Sequence, residues 1–162
     1  MVNKIKVLFL AVAIVVSSPV FADPLKSVLE AFLVVTEKQN GKEQERLESV
    51  DAAEPGSLIE YVLTYTNTSD EPLTGFAIKT PVPNNTSYQA DSANASVKSD
   101  FRVSIDDGKT FEVEPVKRTV IENGVAKEIV IPASEYDAVA WNVKKKLKAE
   151  KSMTMRYRVV ID

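Results

Sequence analysis

The chain holds 162 residues, with 20 lysines and arginines against 23 aspartates and glutamates, and it contains neither histidine nor cysteine. Serine–histidine–aspartate and cysteine–histidine catalysis, imidazole or thiolate zinc sites and disulfides are therefore excluded, and any chemistry must use carboxylate, lysine, serine or tyrosine. A balance this mildly acidic is also not that of a nucleic-acid binder, which carries a net basic domain with a concentrated basic stripe.

Residues 1–22 read as a secretory signal peptide. Lys4 and Lys6 form a basic start, Val7 to Val16 is an apolar run of ten, Pro19 breaks it, and Val20-Phe21-Ala22 places small residues for cleavage before Asp23. A membrane span needs roughly 20 apolar residues, about twice this run, so the expectation is an exported mature chain of residues 23–162 with no spanning segment. Without cysteine, a lipoprotein anchor is impossible. Cleavage removes two lysines and no acid, which leaves 18 basic residues against 23 acidic, a formal −5.

Asp23-Pro24 is a helix-start signal, and Leu25, Val28, Leu29 and Phe32 have helical spacing. The β-branched run ending at Thr36 disfavours a helix there, so a strand is expected from about Val28. Asn40-Gly41 supplies the two positive-φ positions of a type I′ turn and joins Ala31–Thr36 to the charged run Lys42–Val50 as a hairpin. From Leu58 to Asn67 the period is two: Ile59, Tyr61, Leu63 and Tyr65 share one face, with Glu60, Thr64 and Thr66 on the other. Residues 81–96, with two prolines and three asparagines, read as the longest irregular connection. Phe101, Val103 and Ile105 alternate before Asp107-Gly108, a second hairpin turn. Asn123-Gly124 is a third, joining Arg118–Ile121 to Lys127–Ile131. Val139, Trp141 and Val143 alternate again, and the last run places Met153, Met155, Tyr157, Val159 and Ile161 opposite Thr154, Arg156 and Arg158. Many short alternating strands with hairpin turns at this spacing predict an all-β fold, an immunoglobulin-like antiparallel β-sandwich. Its core should contain Tyr61, Leu63, Phe76, Ile78, Val103, Trp141 and Tyr157.

The order of motifs adds a family resemblance. Pro55-Gly56, the alternating strand to Tyr65, Thr66-Asn67-Thr68, a turn over residues 70–75, a strand ending in Pro81-Val82-Pro83, and Trp141 ahead of a terminal strand resemble the conserved repeat (DUF11) domain of bacterial envelope and surface proteins. The resemblance spans about Glu54 to Asp162. It implies an immunoglobulin-like sandwich in the envelope, without known catalytic residues or cofactors.

Candidate chemistry is sparse. Asp106-Asp107 is a pair of acids, but neighbouring strand residues point to opposite faces and the following glycine makes a hairpin tip. Ser104 to Phe111 is similar to the Asp-box hairpin, in which Ser104 and Asp106 would bond turn amides; the spacing lacks the alternating acids and terminal glutamate of a calcium loop, and ion binding at this tip is left open. Asn67, Asn84, Asn85 and Asn94 each begin a glycosylation sequon. Lys144, Lys145, Lys146, Lys148 and Lys151 form the one strong charge run, either a solvated turn or a foot for an anionic envelope polymer, lipid head group or acidic protein. The expectation from sequence is a non-catalytic exported envelope protein, a structural or binding module whose partner is an envelope protein or polymer. The alternatives are an adhesive module pairing through a sheet edge and, further off, a carboxylate-based hydrolase or sugar-binding enzyme.

Overall fold

The computed structural model describes residues 24–39, 41–50 and 52–162. The expected signal peptide and its cleavage point lie outside these residues. Alternation decides the architecture: β1 Leu25–Gln39, β2 Lys42–Ser49, β3 Leu58–Asn67, β5 Thr86–Tyr88, β6 Asn94–Ala95 and β11 Ser152–Ile161 make one antiparallel sheet, in the order β2-β1-β3-β11-β5 with β6 also on β11. β4 Ala77–Pro81, β10 Ala138–Val143 and β7 Ser99–Ser104 make a second, with β10 central, and β8 Lys117–Glu122 with β9 Val125–Val130 form a separate hairpin. The two larger sheets pack as an antiparallel sandwich.

Register explains which residues meet between the sheets. β11 pairs with β3 so that Met153, Met155, Tyr157 and Val159 stand opposite Tyr65, Leu63, Tyr61 and Ile59, and opposed residues of an antiparallel pair project from the same face. That face meets Ile78 of β4, Val103 of β7 and Val139, Trp141 and Val143 of β10 in one buried cluster. All seven core residues expected from sequence belong to it, with Tyr61 and Phe76 at its partly exposed margin.

Three segments differ from expectation. β1 begins at Leu25 rather than Val28, because β3 offers it a ladder from Leu25↔Asn67 to Leu33↔Ile59. The helical spacing loses: Leu29 shares the core-side face with Leu25 yet stays 59% exposed, and Val28, on the other face, is 48% exposed. Residues 81–96 are not wholly irregular, since β5 and β6 add to the free side of β11 and Tyr88 is buried there as an anchor. The second hairpin is reduced to one bridge, in which Val103 and Glu112 exchange two backbone hydrogen bonds of 2.8 Å. The Asp-box turn between them takes up residues that a longer ladder would use. The other two hairpins form as expected; Asn123 and Gly124 adopt φ of 53° and 79°, the pair of left-handed positions a type I′ turn demands.

β1 serves two partners. Its first nine residues pair with β3, and the stretch from Phe32 to Gln39 pairs with β2, so beyond Leu33 the β1–β2 hairpin continues as an arm. Its free edge is strongly charged, with Lys42, Glu43, Glu45, Arg46 and Glu48, a composition that discourages further strand addition.

Candidate functional sites on the sandwich

The lysine run sits where the alternation placed it, on the connection between β10 and β11. Lys144, Lys145, Lys146, Lys148 and Lys151 are all exposed, around Leu147, which is buried and bridges to Leu73. Lys144 Nζ lies 2.7 Å from an Asp100 carboxylate oxygen, and that carboxyl is held below its ordinary range first by this hydrogen bond. The connection is fixed from beneath by Asn67. Its side-chain Nδ2 donates to the carbonyls of Glu71 (2.7 Å) and Leu147 (3.1 Å), its Oδ1 accepts from the Ser69 amide and hydroxyl, and its backbone N–H donates to Lys151 O. Fully buried, Asn67 is thus a clasp, and its sequon side chain is inaccessible to modification in the folded protein. The sequence marks Asn67 only as the end of an alternating strand and the start of a sequon; that it organises the lysine connection emerges from the fold.

The Asp-box geometry is as expected. Ser104 Oγ accepts from the amides of Asp106 (3.2 Å) and Gly108 (2.9 Å), while Asp106 Oδ1 accepts from the Thr110 amide (2.8 Å) and Oδ2 from the Thr110 hydroxyl (2.6 Å). These bonds, the Thr110 hydroxyl first, hold the Asp106 carboxyl down to about 2. Both its oxygens serve the turn. The Asp107 carboxylate is exposed at the tip, 3.6 Å from Lys109 Nζ, and its backbone amide donates to Asp137 at 2.7 Å, so Asp106 and Asp107 have separate partners. Among the described residues no group of three or more acids is gathered as a cation site would require.

A third site was not singled out from sequence. On the outer face of the larger sheet, away from the core, Glu60 of β3 stands opposite Arg158 of β11, and its carboxylate accepts from Arg158 Nε at 2.9 Å and from Arg156 Nη1 at 3.2 Å. The Glu60 side chain is only 8% exposed, although it lies on the strand's polar face. Arg158 Nη2 also donates to Glu45 of the β1–β2 arm at 2.8 Å, and that bond holds the Glu45 carboxyl below its usual range. Three strand steps of about 4.8 Å separate β2 from β11, so this contact requires the arm to curl toward the outer face.

The connection from Gln89 to Ser96 forms a wall beside these arginines, and backbone bonds staple it to β11. Gln89 N donates to Arg158 O (2.9 Å), Arg158 N to Ser92 Oγ (3.0 Å), Ser96 N to Thr154 O (2.8 Å) and Thr154 N to Ser96 Oγ (2.8 Å). Wall and sheet enclose a groove of about 770 Å³, lined by Glu60, Arg156 and Arg158 and by the wall residues Gln89, Asp91 and Asn94 among others. Its serine hydroxyls are occupied with backbone, not with a neighbouring base. The signal for this site was present in the sequence: Glu60 on one polar face and Arg156 and Arg158 on another. What was missing was the register that brings them together and the folding of residues 89–96 as a wall.

No protein family matches this chain, and neither does any curated protein or solved structure. Among the described residues no helix is long and apolar enough to cross a membrane.

Proposed function

We propose that this chain is a non-catalytic binding module, exported to a bacterial cell envelope, that takes its ligand in the outer-face groove. The observation that carries this reading is the stapled wall: its amides and hydroxyls are spent on holding residues 89–96 rigidly against β11, which preorganises a polar recess. Preorganisation of this kind lowers the entropy lost on binding. The resemblance of Glu54 to Asp162 to the conserved repeat domain, and the signal-like residues 1–22, support the envelope assignment. The test is a photo-crosslinking side chain placed at Asn94 in the full chain in intact cells, with Ser134 as an exposed control, alongside sequencing of the mature N-terminus. An adduct specific to position 94 and a chain starting at Asp23 are expected. Equal labelling at both positions removes the groove, and an uncleaved chain in the cytosol removes the envelope.

One observation favours the edge-pairing alternative. The β8–β9 hairpin pairs with no other strand among the described residues and exposes Ile121, Val125 and Val130, so its edges are available for strand addition. Crosslinkers at Thr119 and Lys127 address it in the same experiment.

A further inference from the structure

We infer that the groove's ligand is a neutral saccharide, an inference that rests on the binding-module reading above and adds the chemical class of ligand. Charge comes first. Arg158 is engaged by carboxylates at both Nε and Nη2, from Glu60 and Glu45, and Arg156 gives Nη1 to Glu60. With Asp91 on the wall, the lining holds two arginines and two acids. At Arg158 an anionic ligand would have to displace a carboxylate already in place, at Arg156 it would meet the Glu60 carboxylate beside the guanidinium, and a cationic ligand would face both guanidinium groups, so neither gains a Coulombic surplus from a lining whose charges balance. Burial of an apolar ligand is not favoured either, since Ala90 is the one lining residue with a purely apolar side chain.

What remains is a neutral ligand rich in groups that both donate and accept. The lining suits it: Gln89 and Asn94 each present a carbonyl acceptor and an NH₂ donor, Thr154 a hydroxyl, and Arg156, with its side chain 49% exposed, a planar fork beside the Glu60 carboxylate. A vicinal diol is matched by such a set, one hydroxyl accepting from an Arg156 N–H that Glu60 does not use and its neighbour donating to an exposed amide carbonyl of Gln89 or Asn94. A peptide is the less suitable neutral polymer, because the groove lies on a sheet face where ladder bonds already consume the backbone groups, and extended peptides are bound at edges. The volume lies within the range of ligand sites.

The test uses the mature protein labelled with nitrogen-15 and titrated with cellohexaose, maltohexaose and chitohexaose, with oligogalacturonate and hexaglutamate as anionic probes. At least one neutral oligosaccharide should shift the amides of residues 89–96 and 154–158 saturably, with an affinity unchanged between low and high salt. Replacing Gln89→Ala and Asn94→Ala together leaves the backbone staples in place and should weaken that binding about tenfold, as expected for losing hydrogen-bonding groups, with an unchanged melting curve. Saturable shifts with the anionic probes alone, shifts confined to other surfaces, or no response to any neutral oligosaccharide at millimolar concentration would overturn the inference. An adduct at Asn94 in cells combined with such a result keeps the binding module and discards the saccharide.

Discussion

Trp141 of β10 and Tyr157 of β11 meet across the two sheets with ring centroids 6.2 Å apart and planes tilted by 52°. Tyr61 stacks on Tyr157 at 5.3 Å, and Phe101 and Tyr88 continue the series on the other side of Trp141. Aromatic contacts of this geometry add to simple area burial. They make Trp141 the joint between sheets, and burial pushes the Tyr157 hydroxyl up to about 12.

Trp141→Ala should therefore destabilise the fold by about 3 to 5 kcal/mol, the range for deleting a large buried aromatic side chain. Denaturant unfolding of the mature protein measures it. Val125→Ala, at a position 67% exposed, is the matched control and should change stability by under about 0.5 kcal/mol. Equal effects from the two would remove Trp141 from its role.

Asn67→Ala removes two donated hydrogen bonds, while the Leu147 carbonyl keeps the Leu73 amide and the Glu71 carbonyl keeps the Ser69 hydroxyl. At about 0.5 to 1.5 kcal/mol for each bond lost, the variant should be less stable by about 1 to 3 kcal/mol, and the loss should be local as well as global: amide exchange at Leu147 and Glu150 should accelerate more than at Val139. Asn67→Asp should be worse at neutral pH, because a carboxylate cannot donate to those carbonyls.

The Asp-box turn should be acid-sensitive. The Asp106 carboxyl is depressed from an ordinary 3.8 to about 2, so its contribution is fully present above roughly pH 4 and is lost as pH falls through about 2. The Thr110 amide resonance should accordingly titrate with a midpoint near 2. A midpoint near 3.8 would mean that the turn does not hold the carboxylate, and Asp106→Asn should abolish the transition.

Replacing Lys144, Lys145 and Lys146 with glutamine should leave the fold intact, since among the described residues the one ion pair lost is the exposed contact with Asp100, worth about 0 to 1 kcal/mol. If the run is a foot for an anionic envelope polymer, retention on isolated envelope material at low salt should drop in the variant and vanish for both proteins at high salt, where strong screening leaves the attraction only short-ranged. Equal retention of variant and parent at low salt assigns these lysines to a solvated turn.

Period-two alternation made the core legible, because face assignment follows from spacing alone: Ile59, Leu63, Met155 and Val159 could not all be buried in any other strand orientation. The glycine turns were legible for a similar reason, since few residues other than glycine and asparagine occupy two consecutive left-handed positions. The groove was not. Glu60, Arg156 and Arg158 lie almost a hundred positions apart in sequence, and their meeting depends on the β3–β11 register, a long-range property that no local pattern carries. Likewise Leu25 and Tyr88 reveal strands that exist because a neighbour supplies the ladder, not because their own segments demand it.

The hairpin of residues 117–130 begins and ends at a single point. Ile131 N donates to Val116 O at 2.9 Å, and the buried Tyr136 hydroxyl accepts from Val116 N at 3.1 Å, so both ends are pinned to each other and to the sandwich before the hairpin starts. One side-chain tie lies just beyond that point, the Arg118 guanidinium on the Glu112 carboxylate, and the hairpin past it is a cassette. Its length and its exposed aliphatic residues can vary with little loop-closure penalty, which grows only slowly with length, while the core beneath is unchanged. The sandwich can thus acquire a different projecting surface by exchange at Val116 and Ile131, independently of the groove on its other sheet.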